Sequence, residues 1–156
     1  MKTRIDFVTN SSSSSFLVGF KDEESVERQL KNEIYAVNRF DRILKDVKEK
    51  RISKPEALHI FMKEMYYDAE WVVRYEYERK YIFDRDFYDW IKDYNNREKF
   101  YYDVNARIVN WFEEFKQKID GFDYLALVEY SDHDNPDLEH EIMPRLNCTL
   151  QRFDHH

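Results

Sequence analysis

The 156-residue chain has one cysteine, two glycines and three prolines. The lone thiol, Cys148, cannot close an internal disulfide, which points to a reducing compartment, the cytoplasm. With only Gly19 and Gly121 available, neither a P-loop nor a glycine-rich dinucleotide turn can be assembled, so nucleotide folds of those types are excluded. The opening "MKTRIDFVTN" has no apolar run resembling a secretory signal. No stretch approaches the roughly 18 apolar residues a membrane helix requires; even "AEWVVRYEY" is broken by Glu70, Arg74 and Glu76. Positive charge is also in deficit. The formal net charge of −7 disfavours direct nucleic-acid binding, which draws on Lys and Arg to release counterions, and favours cations or a protein partner with a basic surface.

What is present suits a folded body. Charged residues make up 37% and aromatics 17%, and aromatic side chains bury enough area each to offset a modest aliphatic content. No repeat or linker composition marks a boundary, so residues 1–156 are expected to form a single domain, large enough to bury roughly 70% of its unfolded surface.

Two short apolar runs, "RIDFV" at 4–8 and "FLVGF" at 16–20, read as strands joined by a polar loop from Thr9 to Ser15, most simply as a hairpin. Val26, Leu30, Ile34, Val37, Phe40, Leu44 and Val47 then recur at helical spacing behind the acids Asp22, Glu23 and Glu24, predicting one helix over about 22–50. Ser53, Pro55 and Glu56 predict a second helix start with a capping box. A third helical stretch follows a turn between Tyr81 and Asp86, with Asn95 and Asn96 as candidate breakers and Gly121 closing it. Strand character returns in "DYLALVEY" and "TLQRFDH", on either side of a short helical candidate, "DLEHEIMPRL". The expected class is α+β: a small antiparallel sheet of about four N- and C-terminal strands, with three long helices packed on one side.

The serine run Ser11, Ser12, Ser13, Ser14 and Ser15 is the first candidate site. A flexible linker has little to link so near the start of the chain, which leaves two readings. Either the hydroxyls satisfy their own backbone in a structural loop, or hydroxyls and backbone N–H groups converge on an anion or other ligand.

The second candidate is "EYSDHDNPDLEHE", residues 129–141, with six carboxylates and no Lys or Arg. Four of the five histidines, His133, His140, His155 and His156, lie here or at the terminus. Carboxylates and imidazoles are the ligands of divalent metals such as zinc or manganese, and Asp132, Asp134, His140 and either His155 or His156, which diverge in a regular strand, are the expected ligands. No HExxH or calcium-loop pattern supports them. A solvated acidic loop and a purification-tag remnant at His155–His156 are the competing readings. His59, among helical residues, reads as a core or surface side chain.

Fourteen aromatics fall between Met65 and Val104. Trp71, Phe87, Trp90 and Trp111 match core spacing. Tyr75, Tyr77, Tyr88 and Tyr102 exceed it, and a tyrosine-rich, mixed-charge helix face is also what a protein interface presents.

Taken together, "FVTNSSSSSFLV", Asp132 with Asp134, the Leu-Glu-His at Leu138 to His140, and His155 with His156 resemble the two ends of a scattered group of uncharacterised bacterial and bacteriophage proteins. Thr9 stands where that group more often has Ser, and the acidic loop lacks its glycine. The resemblance implies native terminal histidines and a bacterial or phage source. It carries no established activity.

Two functions follow as expectations. In the first, the serine loop and the C-terminal Asp and His residues converge at one sheet edge on a divalent metal or a phosphate-like anion, with metal-activated water hydrolysing a phosphoester in an enzymatic version. In the second, the protein is a non-catalytic interaction module, for instance a phage product directed against a host defence factor.

Overall fold

The computed structural model describes residues 12–82 and 86–155. Ser11, His156 and the strand expected at 4–8 lie outside the described residues. The chain falls into two compact units, Met1–Ala57 with Lys118–His156, and Leu58–Gln117.

The first unit is built on a four-stranded antiparallel sheet in the order β2-β3-β1-β4, with β1 at Ser13–Phe20, β2 at Arg51–Ile52, β3 at Tyr124–Ser131 and β4 at Thr149–His155. The class is the expected α+β, and strands from both ends of the chain share the sheet. Two details differ. The serine run is not a loop from Ser13 onward, because Ser13, Ser14 and Ser15 open β1. Nor does β1 keep a free ladder edge for a hairpin partner over Ser13 to Val18, which already pair with β3 on one side and β4 on the other. Serine is a poor strand former, and neighbours on both sides override that weak preference.

The single helix expected over 22–50 is two, α1 at Glu23–Glu33 and α2 at Val37–Glu49. Asp22 caps α1, accepting from Ser25 N at 2.8 Å and Ser25 Oγ at 2.6 Å. An unbroken helix of that span would run about 40 Å, well beyond an eight-residue strand at roughly 27 Å. The break at Ile34 to Ala36 turns the chain back over the sheet. Both helices then face it: Val26 and Leu30 from α1, and Ile43 and Val47 from α2, share one core with Phe16, Val18, Phe20, Tyr124, Ala126, Val128 and Tyr130.

The other face of β1 includes Gly19, where an added Cβ would stand 2.5 Å from Leu150 Cδ1. Gly121 has no such constraint: it follows the last helix without a positive φ, so it is not the left-handed terminator its position suggested.

Most of the second unit comes from α3 (Lys54–Lys80), the short α4 (Phe87–Trp90) and α5 (Tyr94–Ile119). The capping box forms as expected, with Glu56 N donating to Ser53 Oγ and Ser53 N donating to Glu56 Oε1. Helices α3 and α5 run antiparallel, since Phe61 stacks on Phe115 at 4.2 Å while Arg107 pairs with Glu76 and Tyr77 meets Phe100. Asn95 and Asn96 start α5 rather than break it; both donate their N–H to Asp93 Oδ1. Tyr77, read as surplus to the core, is buried in it, and its hydroxyl bonds to Asp103. Trp71, read as core, is half exposed. Among the described residues no helix is long and apolar enough to cross a membrane.

Candidate metal centre

The chain leaves β3 at Ser131 and turns at once, so Asp132 and Asp134 do not share a strand face as extended backbone would have required. Asp134 folds back on Ser131, its N–H donating to Ser131 Oγ at 3.1 Å. Asp132 is held against the start of β1: Ser12 Oγ donates to its Oδ2 at 3.0 Å, and its N–H donates to the Ser12 carbonyl at 3.1 Å.

The expected short helix follows as a π-helical turn over Leu138–Ile142 and a 3-10 turn over Met143–Arg145. An ion pair between Arg39 of α2 and Asp137, at 2.7 Å, fixes its start. Its defining bond runs from Met143 N to the Leu138 carbonyl, and such widened turns recur at functional sites. The turn buries the consecutive residues Leu138 and Glu139 and leaves His140 half exposed.

Asp132, Glu139 and His140 thereby come together, with one potential ligand atom from each lying within 4.8 Å of the others. Ligands about 2.1 Å from a shared ion sit roughly 3–4 Å apart, so small side-chain rotations would close this trio around one cation. Glu139 is the unusual member. It is 1% exposed; Oε1 accepts from Ser14 Oγ at 3.0 Å, while Oε2 accepts no hydrogen bond from the described residues. His140 Nε2 stands 3.4 Å from that oxygen. A buried carboxylate oxygen without a donor is costly, and a cation between Oε2, His140 and Asp132 would remove the cost. These three residues could hold a metal ion.

Strand alternation divides the serines between the two faces of β1. Ser12 and Ser14 serve Asp132 and Glu139. Ser13 and Ser15 point the other way, Ser13 Oγ donating to Glu129 Oε2 at 3.4 Å and Ser15 Oγ lying 3.0 Å from His155 Nε2. His155 thus belongs to a separate group with Ser15 and Glu129, on the face opposite Glu139. That group is no nucleophilic triad, because the carboxylate approaches the same Nε2, at 3.9 Å, that faces the hydroxyl. Among the described serines, Ser12, Ser13 and Ser14 have carboxylates for neighbours, an arrangement that repels an anion rather than cradling it.

Of the expected metal ligands, then, Asp132 and His140 are brought together, Asp134 and His155 are directed elsewhere, and His156 lies outside the described residues. Glu139, a member of the group that could hold a metal ion, was missed as a candidate, although it sits beside His140 in the Leu-Glu-His. His59 is exposed on α3.

Comparison with known proteins finds no matching family model, curated protein or solved structure.

Proposed function

We propose that the protein binds a divalent metal, manganese or zinc, through Asp132 Oδ, Glu139 Oε2 and His140, and uses it for hydrolysis. The buried Glu139 oxygen that accepts no hydrogen bond from the described residues carries this reading. Two carboxylates and one imidazole suit either ion. Three protein ligands would leave coordination positions for water, the arrangement of catalytic rather than structural metal sites, and a zinc ion held there would acidify bound water toward neutral pH. The half-exposed His140 marks the side from which a substrate would approach, and a phosphoester is the substrate class to try first.

The test is calorimetric titration of chelator-treated protein with Mn²⁺ and Zn²⁺, alongside hydrolysis of a chromogenic phosphodiester. Stoichiometric binding lost in Glu139→Gln and His140→Ala, and retained in Asp134→Asn, is the expected pattern. Absence of binding to either ion overturns the reading, and binding without hydrolysis removes its catalytic half.

A second reading, a non-catalytic interaction protein, draws support from the unit Leu58–Gln117. Trp71 is 49% and Tyr75 61% exposed there, with Tyr67 and Tyr88 also exposed, and Arg74 lies against the rings of Trp71, Phe87 and Tyr88. Rigid aromatics around an arginine are typical interface anchors, and the acidic net charge selects a basic partner. Capture of a basic protein by the wild type but not by Trp71→Ser/Tyr75→Ser supports it; equal capture by both removes it.

A further inference from the structure

We infer that Ser14 is a positioning residue for the metal: its hydroxyl pins Glu139 Oε1 and so aims Oε2 at the ion. This rests on the metal reading above.

Ser14 Oγ has four polar neighbours. Glu139 Oε1 is at 3.0 Å, Asp154 Oδ1 at 2.7 Å, and Arg152 Nη2 and Nε at 3.1 and 3.3 Å. A hydroxyl has one proton to give and two lone pairs to receive with. The guanidinium fills the receiving side, so two carboxylates compete for one proton.

Distance alone would award it to Asp154, but the surroundings decide otherwise. Asp154 already accepts from Arg152 Nε at 2.7 Å, and its side chain is half exposed to water. Glu139 is buried, and among the described residues Oε1 has only this donor; without it, neither oxygen of the carboxylate accepts a hydrogen bond from them. Leaving a buried carboxylate bare costs far more than leaving one lone pair of a solvated one. The proton therefore goes to Glu139.

Arg152 strengthens the bond by polarising the hydroxyl from behind, and its guanidinium is steadied over the Phe16 ring at 5.5 Å. The even members of the serine run thus divide the labour: Ser12 holds Asp132 and Ser14 holds Glu139. Ser13 and Ser15 face away.

The experiment measures Co²⁺ affinity and the visible d–d spectrum of wild type, Ser14→Ala, Ser14→Thr, Arg152→Met and Ser15→Ala, each checked for native far-UV circular dichroism. Loss of a residue that orients a ligand typically weakens metal binding about 10–100-fold. Ser14→Ala is expected to fall in that range with an altered spectrum, Ser14→Thr to regain most of the affinity, Arg152→Met to lie between, and Ser15→Ala to match wild type. Equal affinity in Ser14→Ala and wild type overturns the role of Ser14 while sparing the metal site, as does an equal loss in Ser15→Ala. A wild type that binds no cobalt overturns both. Should Ser14→Ala misfold, Arg152→Met and Ser14→Thr decide: wild-type affinity and spectrum in Arg152→Met, or no binding by folded Ser14→Thr, overturns the proposal.

Discussion

Ser12 and Asp132 clasp each other across 120 positions of sequence: the serine hydroxyl donates to the aspartate carboxylate at 3.0 Å, and the aspartate N–H donates back to the serine carbonyl at 3.1 Å. The pair closes the open end of the β1–β3 ladder at the point where a candidate ligand leaves the sheet. Ser12→Ala removes the half that a side chain supplies. A loss of about 1 kcal/mol is expected, visible as a lower urea midpoint at unchanged slope.

Gly19 is required by close approach rather than by backbone conformation. A methyl group there would meet Leu150 at 2.5 Å and Phe122 at 3.1 Å, so Gly19→Ala must push β4 or its side chains aside. Overpacking of this kind costs roughly 1–3 kcal/mol, and equilibrium unfolding in urea measures it. A more stable Gly19→Ala protein would show that Leu150 yields freely.

Burial pushes the Cys148 thiol up to about 12, with Glu33 adding to the rise. Two outcomes follow. In the native protein a disulfide reagent at pH 8 should label Cys148 at least roughly tenfold more slowly than in denaturant, because a buried thiol is inert. And since the folded pKa exceeds the unfolded one, the contribution to stability is complete below about pH 8.5 and is lost as pH rises toward 12. Cys148→Ala should therefore show a shallower alkaline decline in stability between those values.

Asp22 behaves in the opposite sense. Hydrogen bonds from the Ser25 side chain and backbone hold its carboxyl below the ordinary value. Its share of stability is present above about pH 4 and disappears as pH falls through the lowered pKa. Asp22→Asn keeps a cap but has no charge to titrate, so the stability difference between wild type and variant should shrink on acidification. A difference constant from pH 7 to pH 2 would refute the assignment.

Much of the fold was written locally. The strand at "FLVGF", the capping box at Ser53 and Glu56, the return to strand at "DYLALVEY" and "TLQRFDH", and the α+β class all follow from side-chain period and turn chemistry over a few residues. The break after Glu33 did not, because the apolar spacing runs on through Val37 and Phe40; only the length of the strands beneath requires the helix to fold back. The site shows the same division. His140 stands out as an imidazole in an acidic stretch and Asp132 by its place in the Asp-x-Asp, whereas Glu139 looks like one carboxylate among six.

The sequence by itself determined which residue types meet at the ends of the chain, because five of the eight serines stand at Ser11 to Ser15 and four of the five histidines follow Asp132. Tertiary structure alone decided how they pair. By placing β1 between β3 and β4, it sends alternate serines to opposite faces, unites Asp132 and Glu139 with His140, and turns His155 away. A period of two fixes the face of each side chain only once the neighbouring strands are known, and those neighbours come from the far end of the chain.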